Sequence, residues 1–209
     1  MKEHFEEKIE KVLDYCRELN DEGGQNQYWI LSDEAGRFIN QKAKEVNAKY
    51  ILEIGTSIGY STIFLAEAVR ENTGGDVAKG KVYAMESHGP RAAIARANFV
   101  NSGLSEFITL VQSHAPEHIP FVDPNTGEAL TGKIDILFLD CIKKYYLPCL
   151  EATLPLLHLG SLIIADNVIS HADQMTDFLN YIKTNSDLES EIFNIGTGVL
   201  VAKTLRMTM

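Results

Sequence analysis

Two apolar runs constrain this chain more than anything else in it: ILFLDCIKKYYLP at residues 136–148 and LIIADNVI at residues 162–169. Each begins as an unbroken string of apolar residues, the pattern of a strand buried on both faces of a parallel sheet. Each then ends in oxygen, Asp140 in the first and Asp166 with Asn167 in the second. Open α/β sheets bind their ligands just beyond the carboxyl ends of the strands. As neighbouring strands, the two runs would bring three oxygen donors and the Lys143 ammonium to one point. An all-oxygen set of this kind selects Mg²⁺, Mn²⁺ or Ca²⁺ over zinc, and it leaves positions for water and a chelating substrate.

Lys143 is the candidate base. A nearby cation and partial burial both lower a lysine pKa, and a neutral amine can take the proton of a hydroxyl that a metal has acidified. Lys144 reads as a solvated residue at the helix start. Cys141 has no base in the sequence to activate it and reads as a packing residue.

The rest of the chain fits the sheet these runs imply. A helical stripe over residues 3–19 (Phe5, Ile9, Val12, Leu13, Cys16) is broken at Asp21-Glu22-Gly23-Gly24. A second helix follows Ser32, its expected cap. Strands are then expected at 50–54, 81–85, 107–111, 134–139 and 160–165, alternating with helices at 60–71, 89–101, 144–158 and 172–185. Residues 120–132 carry turn residues and read as a surface loop or hairpin. The chain ends in a β-hairpin, 189–195 and 199–204, around Gly196-Thr197-Gly198. Strand–helix alternation means a doubly wound α/β sheet, mostly parallel, with helices on both faces. One domain is expected over 1–209, with a helical segment at 1–45 and a Rossmann-like core at 48–204.

The glycine-rich segment GTSIG, residues 55–59, lies between the first strand and its helix. Glycine there lets a ligand approach the backbone, and the helix N-terminus beyond offers N–H groups to an anion, to which Ser61 adds a hydroxyl. Glu86, ending the next strand, suits a pair of ribose hydroxyls. The dinucleotide fingerprint G-x-G-x-x-G is absent, because Ser57 stands where its second glycine belongs. A ligand with one carboxylate and a ribose, such as S-adenosylmethionine, fits this loop better than a pyrophosphate.

The sequence also excludes some functions. A net charge of −10 argues against a broad basic face for nucleic acid. No apolar run approaches the roughly 20 residues of a membrane span, and the charged N-terminus is no secretory signal, so a cytoplasmic address is expected. Cys16, Cys141 and Cys149 are spaced for neither a disulfide framework nor a zinc site. His114 and His118 are four apart, but Pro116 between them interrupts a helix.

LEIGTSIGYST, Glu86, FLDCIKKYYLP and ADNVI together resemble the metal-dependent, S-adenosylmethionine-dependent O-methyltransferases, the group of the animal catechol and plant caffeoyl-CoA enzymes. The resemblance covers about residues 30–204, and its most specific part is D-x-x-K-x-x-Y (Asp140, Lys143, Tyr146) followed by Asp166-Asn167. It implies a seven-stranded sheet with a reversed last strand, Mg²⁺ on Asp140, Asp166 and Asn167, and Lys143 as general base. It implies that Glu86 binds the cofactor ribose, that Gly55, Ser57, Tyr60 and Ser61 surround its methionine end, that Ser113 and His114 lie beside its adenine, and that Glu53 and Asp140 also belong to the cofactor site. Leu31 and Ser32 correspond to a segment that closes over the cofactor. Ile142 departs from the family, where tryptophan or an acidic residue is usual, and no match exists for the acidic residue that contacts the second catechol hydroxyl. The implied acceptor is a small molecule with a hydroxyl beside another oxygen, and the resemblance leaves room for a homodimer. Three other readings compete: methylation of a modified nucleoside in tRNA within the same family, an NAD(P)-dependent oxidoreductase on a doubly wound sheet, and a non-catalytic binding protein that keeps the nucleoside site without the chemistry.

Overall fold

The computed structural model describes residues 2–22 and 26–206. Gly23 and Gly24, read as part of the break after the first helix, lie outside the described residues. Helices α1 (Lys2–Asp21) and α2 (Asp33–Glu45) precede an alternating core: β1 (Tyr50–Ile54), α3 (Tyr60–Asn72), β2 (Lys81–Met85), α4 (Gly89–Ser102), β3 (Ile108–Val111), β4 (Ile134–Leu139), α5 (Tyr146–Thr153), β5 (Leu157–Ala165), α6 (Thr176–Thr184), β6 (Leu188–Phe193) and β7 (Val199–Thr204). Ser32 caps α2 as expected, its Oγ accepting from the Ala35 N–H.

The strands form one seven-stranded sheet in the order β3-β2-β1-β4-β5-β7-β6. Pairing is parallel from β3 to β5, while β7 runs antiparallel to both β5 and β6. The order in which strands are added reverses between β1 and β4, the switch point at which such sheets open a crevice. Burial explains why the central strands read as continuous apolar runs: Ile136, Leu137, Phe138 and Leu139 have no exposed surface. Alternate residues serve two cores. Ile51, Ile136, Phe138 and Ile164 pack with α1–α4 on one face, and Leu52, Leu137, Leu139 and Ile163 pack with α5 and α6 on the other. No helix among the described residues is long and apolar enough to cross a membrane.

Several boundaries differ from the sequence reading. The helix expected over 144–158 stops at Thr153, because Pro155 cannot supply the N–H that would continue it and the chain turns through 154–156 instead. Strand β5 therefore starts at Leu157, where it pairs with Ile134, and not at Gly160. The segment expected as one helix over 172–185 is a 3₁₀ turn at Ala172–Gln174 followed by α6. Between β3 and β4, the turn-rich stretch forms a small loop closed by an antiparallel bridge from Val122 to Ala129.

Candidate functional site

Sheet register builds the site. Ile54 pairs with Met85 and with Leu139, and Leu139 pairs with Ala165. The residues one step beyond these positions are Glu86, Gly55, Asp140 and Asp166, so four strands deliver four site residues in one row. Backbone bonds continue the ladder into the row: Asp140 N–H donates to the Ile54 carbonyl, Asp166 N–H to that of Leu139, and Gly55 N–H to that of Met85. Above the row lies a cleft of about 620 Å³, within the range of small-molecule and cofactor sites. Its walls include Leu31, Ser32, Gly55, Ser57, Tyr60, Ser61, Glu86, Ser113, His114, Asp140, Lys143, Asp166 and Asn167.

On the β1–β2 side, the Glu86 carboxylate is fixed by two backbone donors, Ser57 N–H at 2.9 Å and His88 N–H at 2.7 Å. Ser57 has φ of +49°, and its hydroxyl donates to the Tyr28 carbonyl, tying the loop to the segment before α2. Gly55 has φ of +106°. A Cβ there would fall on the Asp140 carbonyl oxygen, so the two strand ends touch only because residue 55 has no side chain. Gly55→Ala is accordingly expected to destabilise the protein by more than the ~1–2 kcal/mol of left-handed backbone strain alone, read as a fall in thermal midpoint. A midpoint equal to wild type would show that the strands part without cost.

Glu53 stands apart from the other residues assigned to the cofactor. It does not line the cleft; it is fully buried behind the loop. Its carboxylate accepts from the Thr56, Ser61 and Thr62 hydroxyls. Burial pushes its pKa up, and the three hydroxyls oppose that shift. Glu53 thus braces the start of α3. Ser61 faces the cleft, but its hydroxyl proton is committed inward to Glu53, which leaves the first N–H groups of α3 as the donors for an anion. The Tyr60 hydroxyl likewise donates to Asp33, and Arg17 of α1 binds both partners.

On the β4–β5 side, Lys143 Nζ reaches Asn167 Oδ1, the Tyr146 hydroxyl (3.1 Å), the Cys141 carbonyl (3.1 Å) and Asp140 Oδ1 (3.4 Å). The Tyr146 hydroxyl in turn donates to the Asp166 carbonyl. Burial and the neighbouring Asp166 charge push the Asp140 carboxyl up to about 7, against the pull of Lys143. Burial raises Asp166 as well. Two adjacent carboxylates, Asp166 buried and Asp140 mostly so, face one ammonium and make a site short of positive charge, and their third neighbour, Asn167, offers a carbonyl oxygen. This donor set fits a hard divalent cation. No group of three or more His, Cys, Asp or Glu side chains suited to a metal occurs among the described residues; here the third donor is an amide. Cys141 lines the cleft, but its hydrogen bond with Cys149 and its burial push the thiol well up, as suits a packing residue.

One residue that the sequence did not mark belongs to this site. Thr197, in the β6–β7 turn, donates its hydroxyl to Asp166 and accepts from Asn167 Nδ2. The turn itself was legible, but its contact with Asp166-Asn167 follows from strand order, which local sequence does not record.

Residues 6–195 match the family model described as O-methyltransferase. The chain is 33% identical over 139 residues to a catechol O-methyltransferase of Niastella koreensis, an alignment covering 66% of this chain and 58% of that protein. It is 28% identical over 188 residues to a caffeoyl-CoA O-methyltransferase of Populus kitakamiensis, covering 81% and 76%. The chain thus spans less than two thirds of the Niastella relative's length. Its fold matches the crystal structure of the O-methyltransferase TomG from Streptomyces achromogenes, solved in complex with SAM, with a TM-score of 0.78, 21% identity and coverage of 93% and 90%.

Proposed function

The chain belongs to the O-methyltransferase family, and from that premise we propose that it moves a methyl group from S-adenosylmethionine to a hydroxyl of a small substrate bearing a second oxygen beside it, with a divalent cation bound. The observation that carries this reading is the row of strand ends. Glu86 and Gly55 mark one half of the cleft and Asp140, Asp166 and Asn167 the other, so donor and acceptor would lie side by side.

In the first half, Glu86 holds the ribose hydroxyls with the lone pairs its backbone donors leave free. The N-terminus of α3 receives the carboxylate of the methionine end, and Ser113 and His114 wall the base. S-adenosylmethionine supplies the activated methyl group. In the second half, Asp140, Asp166 and Asn167 would hold Mg²⁺ or another hard cation, which would supply Lewis acidity toward the substrate oxygens.

The chain's own residues do the rest. Lys143 Nζ takes the hydroxyl proton, and the Tyr146 hydroxyl and Cys141 carbonyl hold that nitrogen over the site. Trp29 and Ile142, each 65% exposed on the cleft rim, give an aromatic substrate apolar surface to cover, and covering them excludes water from the proton transfer. The steps need close positioning more than covalent chemistry from the protein.

The test is a methyl-transfer screen over catechols, hydroxycinnamoyl-CoA esters and bulk tRNA, with and without EDTA. Transfer to a vicinal diol, stopped by EDTA and restored by Mg²⁺ or Mn²⁺, is the expected result. Transfer that ignores EDTA removes the metal from the reading, and transfer to tRNA alone replaces the substrate class.

A further inference from the structure

The reversed strand β7 has a consequence for the metal ligands. A parallel strand in that place would send the turn preceding it to the far edge of the sheet. Because β7 is antiparallel, with Leu200 against Ala165, the turn before it arrives at the site edge beside Asp166 and Asn167. Three backbone bonds seat it there: Val168 N–H donates to the Gly198 carbonyl at 3.0 Å, and Ile169 and Ser170 N–H donate to the Thr197 carbonyl at 3.2 and 3.0 Å. The fit is close on both sides of Thr197. A Cβ on Gly198 would strike the Ile169 backbone, and one on Gly196 would meet Ser32 Oγ.

The Thr197 hydroxyl both donates and accepts. Its proton goes to Asp166, with Oδ1 and Oδ2 each at 3.1 Å, and its oxygen accepts from Asn167 Nδ2 at 2.9 Å. A hydroxyl carries one donor and two acceptor positions, so the pattern has a definite sense. It holds the NH₂ of Asn167 on Thr197 and leaves Oδ1 facing Lys143. Asn167 itself has φ of +62°, a conformation that asparagine tolerates but that does not by itself choose between the two ends of the amide. Turned the other way, Asn167 would present two N–H donors to a cation.

We infer that Thr197 is a positioning residue for the divalent cation: its hydroxyl orients the Asp166 carboxylate and selects the carbonyl end of Asn167 as the third donor. The inference rests on the metal reading above. Thr197 is exposed and belongs to neither apolar core, so removing its hydroxyl does not open a cavity.

The test is Mn²⁺ binding, read as loss of the free-ion paramagnetic resonance signal, in wild type, T197V and T197S, with S-adenosylhomocysteine affinity measured on each protein without metal. Groups that orient metal ligands typically contribute about 10–100-fold in affinity. T197V is expected to weaken Mn²⁺ binding by about that factor while binding S-adenosylhomocysteine like wild type, and T197S is expected to retain Mn²⁺. Four results overturn the inference. Wild-type Mn²⁺ affinity in T197V removes the positioning role and leaves the metal reading standing. Equal loss of both ligands in T197V, or failure of T197S alongside it, makes the turn merely structural. Absence of Mn²⁺ binding in wild type removes the metal reading and Thr197's role with it.

Discussion

Lys143→Met is expected to lower kcat by about 10³-fold, in the middle of the range for loss of a positioned general base, while S-adenosylhomocysteine still binds. Methionine nearly matches the length of the lysine stem, so the mostly buried side chain (15% exposed) is replaced without leaving a void. What disappears is the nitrogen within reach of the Tyr146 hydroxyl, the Cys141 carbonyl and Asn167. Glu86 after β2 and Gly55 after β1, which are proposed to bind the cofactor, have no hydrogen bond to Lys143, so the substitution leaves them in place. Lys143→Arg is expected to fail as well, because a guanidinium stays protonated and cannot accept the substrate proton. Saturating Mg²⁺ is required in the assay, since removing the ammonium leaves Asp140 and Asp166 facing one another. Turnover by the methionine variant close to that of wild type would show that another group, or solvent, takes the proton.

The positions at the strand ends were legible in the sequence, and contacts that depend on the reversed strand were not. Asp140 and Asp166-Asn167 stand out because an apolar run that stops in oxygen is a local pattern, and register then sets them side by side. Glu86 and the GTSIG turn are legible for the same reason. Glu53 shows the limit of such reading. It sits in a loop motif that touches the cofactor by resemblance, yet alternation along β1 turns its side chain inward to three hydroxyls. Thr197 shows the converse: a plain turn residue 30 positions from Asn167 gains its contact only because β7 is reversed. Pro155 was visible as well, but the apolar residues around it extended the helical pattern through to His158, and the missing N–H ends the helix first.

Asp140→Asn is expected to abolish EDTA-sensitive turnover and, in the same protein, to raise the thermal midpoint of the metal-free form above pH 7. Both effects come from one charge. Folding raises the Asp140 pKa to about 7 from an unfolded value of about 3.9, first through burial and then through Asp166. The folded state therefore binds this proton more tightly than the unfolded chain does. The stability that Asp140 contributes as a neutral acid is fully present below about pH 4. It is lost as the pH rises through about 7, and above that the buried carboxylate opposes folding. At about 1.4 kcal/mol per unit the opposition reaches at most about 4 kcal/mol, less in practice because Asp140 and Asp166 titrate as a pair. For a chain of this size each kcal/mol moves the midpoint by about 2–4 °C. Wild type in EDTA should thus lose several degrees as the pH rises from about 4 through about 7, and either saturating Mg²⁺ or the asparagine should remove most of that loss. The two remedies differ in what they leave behind, since the cation restores turnover and the amide does not. A wild-type midpoint in EDTA that stays flat across this range would mean that Lys143 already neutralises the pair, and the electrostatic case for a divalent cation would fall with it.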